Sequence, residues 1–307
     1  MSAMIETELD SGLVYMSVRQ VASYLQLNEK KVYALVADNR IPATKITGKW
    51  MFPRELIDKW MLDSSHGGLL SDRLIIAGSD DPLLYRIVLD YAANTGAYAL
   101  ISYSPTGTQL GLNLLESHRV DVCGIHWGPD SESHIRHPAL IKQHAEAGNW
   151  VLIHAFRREQ GLLLAPDSPY REASIDTLLD RPLRWSLRQS GAGAQRFLME
   201  QLGLRNLNTD DLDCTGTALS DREAAASIAM NMADIAPGVR SAATEYGLDF
   251  IPFGWESFDL AIPKSIWFRR LFQELLQRLK SPACRQLADS LTGYDLKRCG
   301  ELVWGDE

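Results

Sequence analysis

Cysteine is scarce: the 307 residues carry four, Cys123, Cys214, Cys284 and Cys299, and no two stand close enough for a CxxC pair. That scatter excludes a disulfide-dense secreted scaffold and predicts reduced thiols in cytoplasm. Long apolar runs are missing too. Nowhere do about 18 apolar residues follow one another, and the acidic start (Glu6, Glu8, Asp10) lacks the basic and apolar regions of a signal peptide, so no membrane partner is expected. Neither a GxSxG nucleophile elbow nor a GxxxxGK[ST] phosphate loop is present. Ser190 serves as a nucleophile only if a histidine and an acid converge on it in space, and the chain is read as a non-enzyme. His126, His134, His137 and His144 fall in one region, yet the Pro-flanked loop expected there gives no rigid frame, so neither metal nor cofactor is expected.

Apolar residues make up 46% and charged residues 23% of the chain, enough to build a core and too apolar for disorder. The length fits two or three domains. Net charge is −8 and unevenly spread. Between Met16 and Leu62, Arg19, Lys30, Lys31, Arg40, Lys45, Lys49, Arg54 and Lys59 outnumber Glu29, Asp38, Glu55 and Asp58 by four, which leaves −12 elsewhere. A small basic head on an acidic body is the asymmetry of a chain that brings one part to phosphates.

After a flexible start over 1–15, the head (16–62) begins at Ser17, a helix N-cap with Gln20 at the capping-box position; Val18, Val21, Ala22 and Leu25 share a face. Asn28 caps a second helix from Glu29 to Ala37, whose exposed face offers Asn28, Lys30, Lys31 and Tyr33. Asn39 stops it. Thr44 to Phe52 alternates around a Thr47-Gly48 turn as a hairpin carrying Lys45 and Lys49, and a last helix starts at Pro53. The runs S-V-R-Q-V-A-S-Y-L, K-K-V-Y-A-L, R-I-P-A-T-K-I-T-G-K-W-M-F-P and L-I-D-K-W resemble the excisionase/MerR-type winged helix-turn-helix family. The resemblance implies double-stranded DNA as partner, with Asn28, Lys30, Lys31, Tyr33, Lys45 and Lys49 as contacts. The stretch 63–71 reads as a linker.

From Asp72 short apolar strands alternate with helices, the pattern of a mostly parallel α/β sheet. Leu74 to Ala77 runs into Gly78-Ser79-Asp80-Asp81-Pro82 and a helix with Leu83, Leu84, Ile87, Val88 and Tyr91 inward. Tyr98 to Ile101 leads to a turn at Thr108 and a helix with Leu110, Leu112, Leu114 and Leu115 inward. Helix amino termini expose unpaired N–H groups, so Ser79 and Thr108 are placed to hold an anionic or carbonyl group. A second lobe is expected after Ile153. There Arg188-Gln189-Ser190-Gly191-Ala192-Gly193 turns from a strand into a helix, and Ser220-Asp221 opens another.

The segments G-S-D-D-P-L-L, G-T-Q-L-G-L, V-D-V-C-G-I-H-W, R-R-E-Q-G-L-L-L-A-P, L-R-Q-S-G-A-G-A-Q and A-D-I-A-P-G-V-R-S-A-A resemble the cytoplasmic periplasmic-binding-protein-like domains fused to excisionase-type heads, relatives of molybdate- and tungstate-binding proteins. The resemblance implies an α/β chain with a winged helix-turn-helix and a two-lobed type II binding-protein-like domain over 72–307. Lobe 1 would take about 72–156 and 250–307, lobe 2 about 160–247, crossing near Arg157 to Gly161 and near Phe250. It implicates Ser79, Thr108, the Arg188 to Gln195 turn and Ser220. Ala192, Ala194 and Gln195 stand where the family shows Ser, Thr and Arg, and Asp80 and Asp221 where it often shows histidine, which disfavours a bare dianion. A small organic acid or zwitterion suits Arg188 with an acid or a ring, Trp127, Trp185 or Trp255, on its cationic end. The expected function is a ligand-responsive one-component regulator, acting as a homodimer on DNA; an oxyanion sensor and an enzyme using the cleft are the alternatives.

Overall fold

The computed structural model describes residues 14–38, 41–46, 48–64 and 73–305. The first thirteen residues, the expected helix stop at Asn39, the turn residue Thr47 and most of the expected linker (65–71) lie outside them. The chain forms two compact units, Met1–Ser71 and Asp72–Glu307.

In the first unit β1 (Tyr15–Ser17) leads into α1 (Val18–Tyr24), α2 (Glu29–Ala37), β2 (Thr44–Ile46), β3 (Lys49–Pro53) and α3 (Arg54–Ser64). Ser17 starts α1 through a closed capping box: its Oγ accepts from the Gln20 amide at 3.4 Å, and the Gln20 side chain accepts from the Ser17 amide at 2.9 Å. Asn28 Oδ1 accepts from the Lys31 amide at 2.7 Å and opens α2. The helical stripes Val18, Val21, Ala22 and Val32, Leu35, Val36 then meet Met16, Ile41, Phe52 and Ile57 in one core. Where sequence suggests a free lead up to residue 15, Tyr15–Ser17 is a strand antiparallel to β3, giving the sheet order β1-β3-β2. Gly48 turns the β2–β3 hairpin at φ +81°, a conformation that strains any side chain.

In the second unit β4 (Arg73–Gly78), α4 (Pro82–Thr95), β5 (Leu100–Pro105), α5 (Thr108–Glu116), β6 (Val122–Ile125) and α6 (Ser133–Ile141) build the first lobe. The long strand β7 (Trp150–Leu164) crosses to the second, made of α7 (Ile175–Leu179), β8 (Arg184–Arg188), α8 (Gly193–Gly203), β9 (Asp213–Ala218), α9 (Asp221–Ala229), β10 (Ile235–Val239) and α10 (Arg240–Tyr246). A second long strand, β11 (Asp249–Pro263), returns, and α11 (Lys264–Trp267), α12 (Arg270–Leu279), α13 (Pro282–Leu291), β12 (Tyr294–Asp295) and β13 (Leu302–Trp304) finish the first lobe. The sheet runs β5-β4-β6-β11-β7-β10-β8-β9, with β12 and β13 also on β7. Strands β7 and β11 pair antiparallel along their whole length, with register shifts at Pro252/Gly254 and Phe258/Asp259.

Helices cover both faces, as a buried sheet requires. In the first lobe Leu83, Leu84, Ile87, Val88 and Tyr91 of α4 pack with Phe272, Leu275, Leu276 and Leu279 of α12. In the second, alanine-rich α9 and α10 cover one face, and Leu178, Leu198 and Leu202 of α7 and α8 the other. Three expectations for this unit change. The sheet is mixed and not mostly parallel, because β11 pairs antiparallel with β6 and β7, and β7 with β10, β12 and β13. Leu110 is 51% exposed, because the buried positions of α5 are Thr108, Gly111, Leu112 and Leu115. The stretch around His134 and His137 is helix α6, with Pro138 inside it, instead of a loop.

Candidate functional site

The turns after β4, β5, β8 and β9 carry the candidate ligand residues to the line where the lobes face each other, the strand-end position at which open α/β sheets hold ligands. Ser79 Oγ and Thr108 Oγ1 lie 2.6 Å apart, both buried, and the Tyr103 hydroxyl donates to the Ser79 carbonyl. Asp80 reaches from the first lobe into the second, where its Oδ2 accepts from the Asp221 backbone N–H at 2.7 Å. Asp221 begins α9, capped by Ser220 Oγ, which accepts from the Glu223 amide at 3.0 Å. Arg188 ion-pairs with the Asp221 carboxylate, and its backbone N–H donates to Gln195 Oε1 at 2.8 Å.

At the centre stands Arg158 on β7, 1% exposed. Its Nε donates to Glu256 Oε1 at 2.8 Å, and its Nη1 to the Asp80 carbonyl at 2.7 Å and to Asp81 Oδ2 at 3.0 Å. Its Nη2 donates to His126 Nδ1 at 3.1 Å. A guanidinium has no acceptor, so the single proton of neutral His126 sits on Nε2, which is buried without a hydrogen-bond partner. Burial, then the charge of Arg158, holds His126 well below the usual histidine range. Burial pushes Asp80 up to about 6, with Asp221 adding to it and Arg188 and the Asp221 amide opposing. Burial likewise pushes Glu256 up to about 7 against the pull of Arg158, and raises Asp81. Burial alone would lower Arg158, but Glu256, Asp221 and Asp81 outweigh it and raise it. Four carboxyl groups thus face two guanidinium groups in a nearly dry cleft, an arrangement that holds an extra negative charge only if one leaves or is protonated.

The remaining expected residues are placed as follows. Ala192 and Gly193 are buried at the start of α8, Gly191 is half-buried and Ser190 is exposed. Trp185 packs with Leu162, Leu198 and Ile235 inside the second lobe, so its ring is core and not a cleft wall. Trp127 is half-buried, with the Arg136 and Arg196 guanidinium groups 5.1 and 5.2 Å from its ring centre and Nε1 donating to Glu200 at 3.0 Å. Trp255 is stacked by Arg157 at 5.3 Å. Sequence reasoning missed Arg158, Glu256 and Asp81, and weighed His126 only as a metal ligand. The available signal was the polar run Arg157 to Gln160 set between the apolar stretches Trp150–Ile153 and Leu162–Leu164 of one strand, with Arg158 and Gln160 on one face. Histidine pairs elsewhere are internal: His137 and His154 both bond Asp259, at 2.6 and 2.8 Å, and among the described residues no cluster suits a metal ion.

On the first unit, Asn28, Lys30, Lys31 and Tyr33 are exposed on α2, and Lys45 and Lys49 on the hairpin, with Lys45 Nζ 5.6 Å from the Trp50 ring centre. Asn28 Oδ1 is engaged as the α2 cap, so a base or phosphate contact by this exposed residue falls to its amide nitrogen as donor.

Family profiles match both units: "Helix-turn-helix domain" over residues 15–65 and "PBP superfamily domain" over 90–280. The uncharacterized protein YvgK of Bacillus subtilis (strain 168) is 27% identical over 186 residues, 60% of this chain and 59% of that protein, so the match spans less than two thirds of its length. Among solved structures, a phosphate ABC transporter substrate-binding protein from Clostridium perfringens, with bound phosphate, aligns at TM-score 0.53 and 11% identity, covering 73% of this chain and 100% of that one. Hydrogen-peroxide-bound OxyR of Corynebacterium glutamicum aligns at TM-score 0.52 and 14% identity, covering 90% of this chain and 89% of that one. At these identities the likenesses are of fold. The chain belongs to the PBP superfamily, and it joins that two-lobed domain to an N-terminal helix-turn-helix domain.

Proposed function

We propose that the protein is a DNA-binding transcription regulator of the cytoplasm whose second unit senses a small organic acid or zwitterion between its lobes. The observation that carries the reading is one chain holding a helix-turn-helix with exposed Lys30, Lys31 and Tyr33 and a two-lobed domain with guanidinium groups buried in its cleft. A basic head supplies phosphate contacts, and a cleft domain supplies a closure that a ligand can bias by differential affinity. No helix among the described residues is long and apolar enough to cross a membrane. One head offers few base contacts, so a homodimer on paired half-sites is the working assembly. The ligand seat comprises Ser79, Asp80, Thr108, Arg188, the Ser190 to Gly193 turn, Ser220 and Asp221, with Arg158 as its centre.

The test is thermal denaturation of the intact protein against amino acids, betaines and small carboxylates, with molybdate, tungstate and sulfate alongside. A sensor is stabilised by one compound without consuming it. Tight stabilisation by molybdate would return the site to an oxyanion sensor, and steady turnover lost in Ser190→Ala would make it an enzyme.

A further inference from the structure

Several contacts bridge the two lobes, Arg86 with Glu245 at 2.7 Å and Arg136 with Glu200 at 2.8 Å among them, and the one in the middle of the cleft is made by the chain's own acid. Asp80, 5% exposed, lies on the turn after β4 in the first lobe, and its acceptor atom meets the first N–H of α9 in the second at 2.7 Å. Behind the contact Arg158 holds the Asp80 carbonyl and Arg188 holds the Asp221 side chain. The Ser79 and Thr108 hydroxyls bond each other. His126 Nε2, buried without a hydrogen-bond partner, lies in the same cleft against Gly193 at the start of α8, with the Glu256 carboxylate 3.9 Å away, beyond hydrogen-bond reach. A cleft that already holds one carboxylate on a helix N–H, with the imidazole N–H of His126 unbonded beside it, is complementary to a carboxylate.

We propose that Asp80 is a built-in stand-in for the acid group of the effector, and that the effector's carboxylate takes its place on the Asp221 amide. The inference rests on reading the second unit as a ligand sensor and names the functional group it reads. When the effector's carboxylate enters, the Asp80 side chain must swing out to solvent or take up a proton, and the charge of the cleft is then unchanged; a tetrahedral dianion would add one more negative charge beside three remaining carboxyl groups, which makes Asp80 a specificity-determining residue. Asp80 is also weakly held as an anion: burial, first of all, and then the charges of Asp221 and Asp81 disfavour its charged form, against Arg188 and the Asp221 amide. A weakly held acid is one a competitor can displace. No covalent step is involved.

Chemical rescue tests this without knowing the effector. Asp80→Ala deletes a group the size and charge of formate, so formate is the probe, with chloride at equal ionic strength as control. In the full-length variant at pH 6.5, formate should raise the melting temperature saturably, half-saturating in the millimolar range that a three-atom ligand reaches. X-ray scattering should show a smaller radius of gyration with formate. Wild type should respond to formate no more than to chloride. Asp80→Ser, if the alanine variant folds poorly, should behave the same way. Absence of a formate-specific response in folded variants, or an equal response in wild type, overturns the proposal. If that happens while some carboxylate or zwitterion still stabilises wild type, the sensor reading survives and only the stand-in fails.

Discussion

A Cβ placed on Gly193, the first residue of α8, would lie 2.0 Å from Nε2 of His126, which belongs to the other lobe. The imidazole occupies the space a side chain would need, so the closeness of the lobes at this point depends on glycine. Gly193→Ala should therefore prop the lobes apart, and scattering should give a larger radius of gyration with each lobe still folded. The cost to stability should be about 1–3 kcal/mol, as for overpacking elsewhere. An unchanged radius and melting curve would mean that this contact does not limit closure.

Arg158 ties Asp81 at 3.0 Å and Glu256 at 2.8 Å, all three buried. Arg158→Met should lower stability by about 3–5 kcal/mol, because removing one partner leaves the carboxylates uncompensated. Urea denaturation at about pH 7.5 reads this directly. Adding Glu256→Gln to Arg158→Met should recover part of the loss, since one buried charge then disappears.

The closed cleft binds protons more tightly than the unfolded chain. Asp80 stands at about 6 against an ordinary 3.8, and Glu256 at about 7 against 4.5, in both cases chiefly through burial. Stability from these two groups is full below about pH 4 and is lost as the pH rises through 6 and 7. Asp259 works oppositely. Burial raises it, but bonds from His137 and His154 outweigh that and hold it below its ordinary value, so its contribution is lost on acidification. The separable signal is the difference between wild type and Asp80→Asn. That difference should grow in favour of the asparagine variant from about pH 4 to about pH 6.5 and level off above, and a constant difference would show that Asp80 does not titrate in this window.

Lys30, Lys31 and Lys49 are exposed on α2 and the hairpin. Replacing all three by alanine should weaken binding to every duplex and flatten the dependence of log K on log salt by up to about 0.9 per lysine. Tyr33→Ala should instead change preference among sequences. Equal salt slopes for wild type and the triple variant would exclude these lysines from the phosphate contacts.

Much of this was legible in residue order. The caps at Ser17, Asn28 and Ser220 are readable because a short polar side chain before an apolar stripe has few other uses. The α4 stripe is readable from its spacing alone. What was hidden lies on β7 and β11. Arg158, Gln160 and Glu256 interrupt apolar runs, so each fifteen-residue strand reads as shorter pieces, and the register shift at Pro252/Gly254 blurs the alternation further. The reason for burying Arg158 is a set of partners up to 98 positions away, Glu256 among them, and no local pattern carries that. Trp185 shows the reverse: a ring near a strand end is a candidate for the cleft, but here it packs in the core of the second lobe.

The most direct test of a sensor that governs DNA binding uses the full-length protein, a duplex selected by wild type from a random pool, and fluorescence anisotropy. Affinity is measured for wild type and Asp80→Ala, each with formate and with chloride. The account predicts that the alanine variant binds this duplex differently from wild type, that formate returns it toward the wild-type affinity, and that wild type does not respond. Equal affinity in all four conditions, or no duplex binding by wild type at low salt, would contradict it.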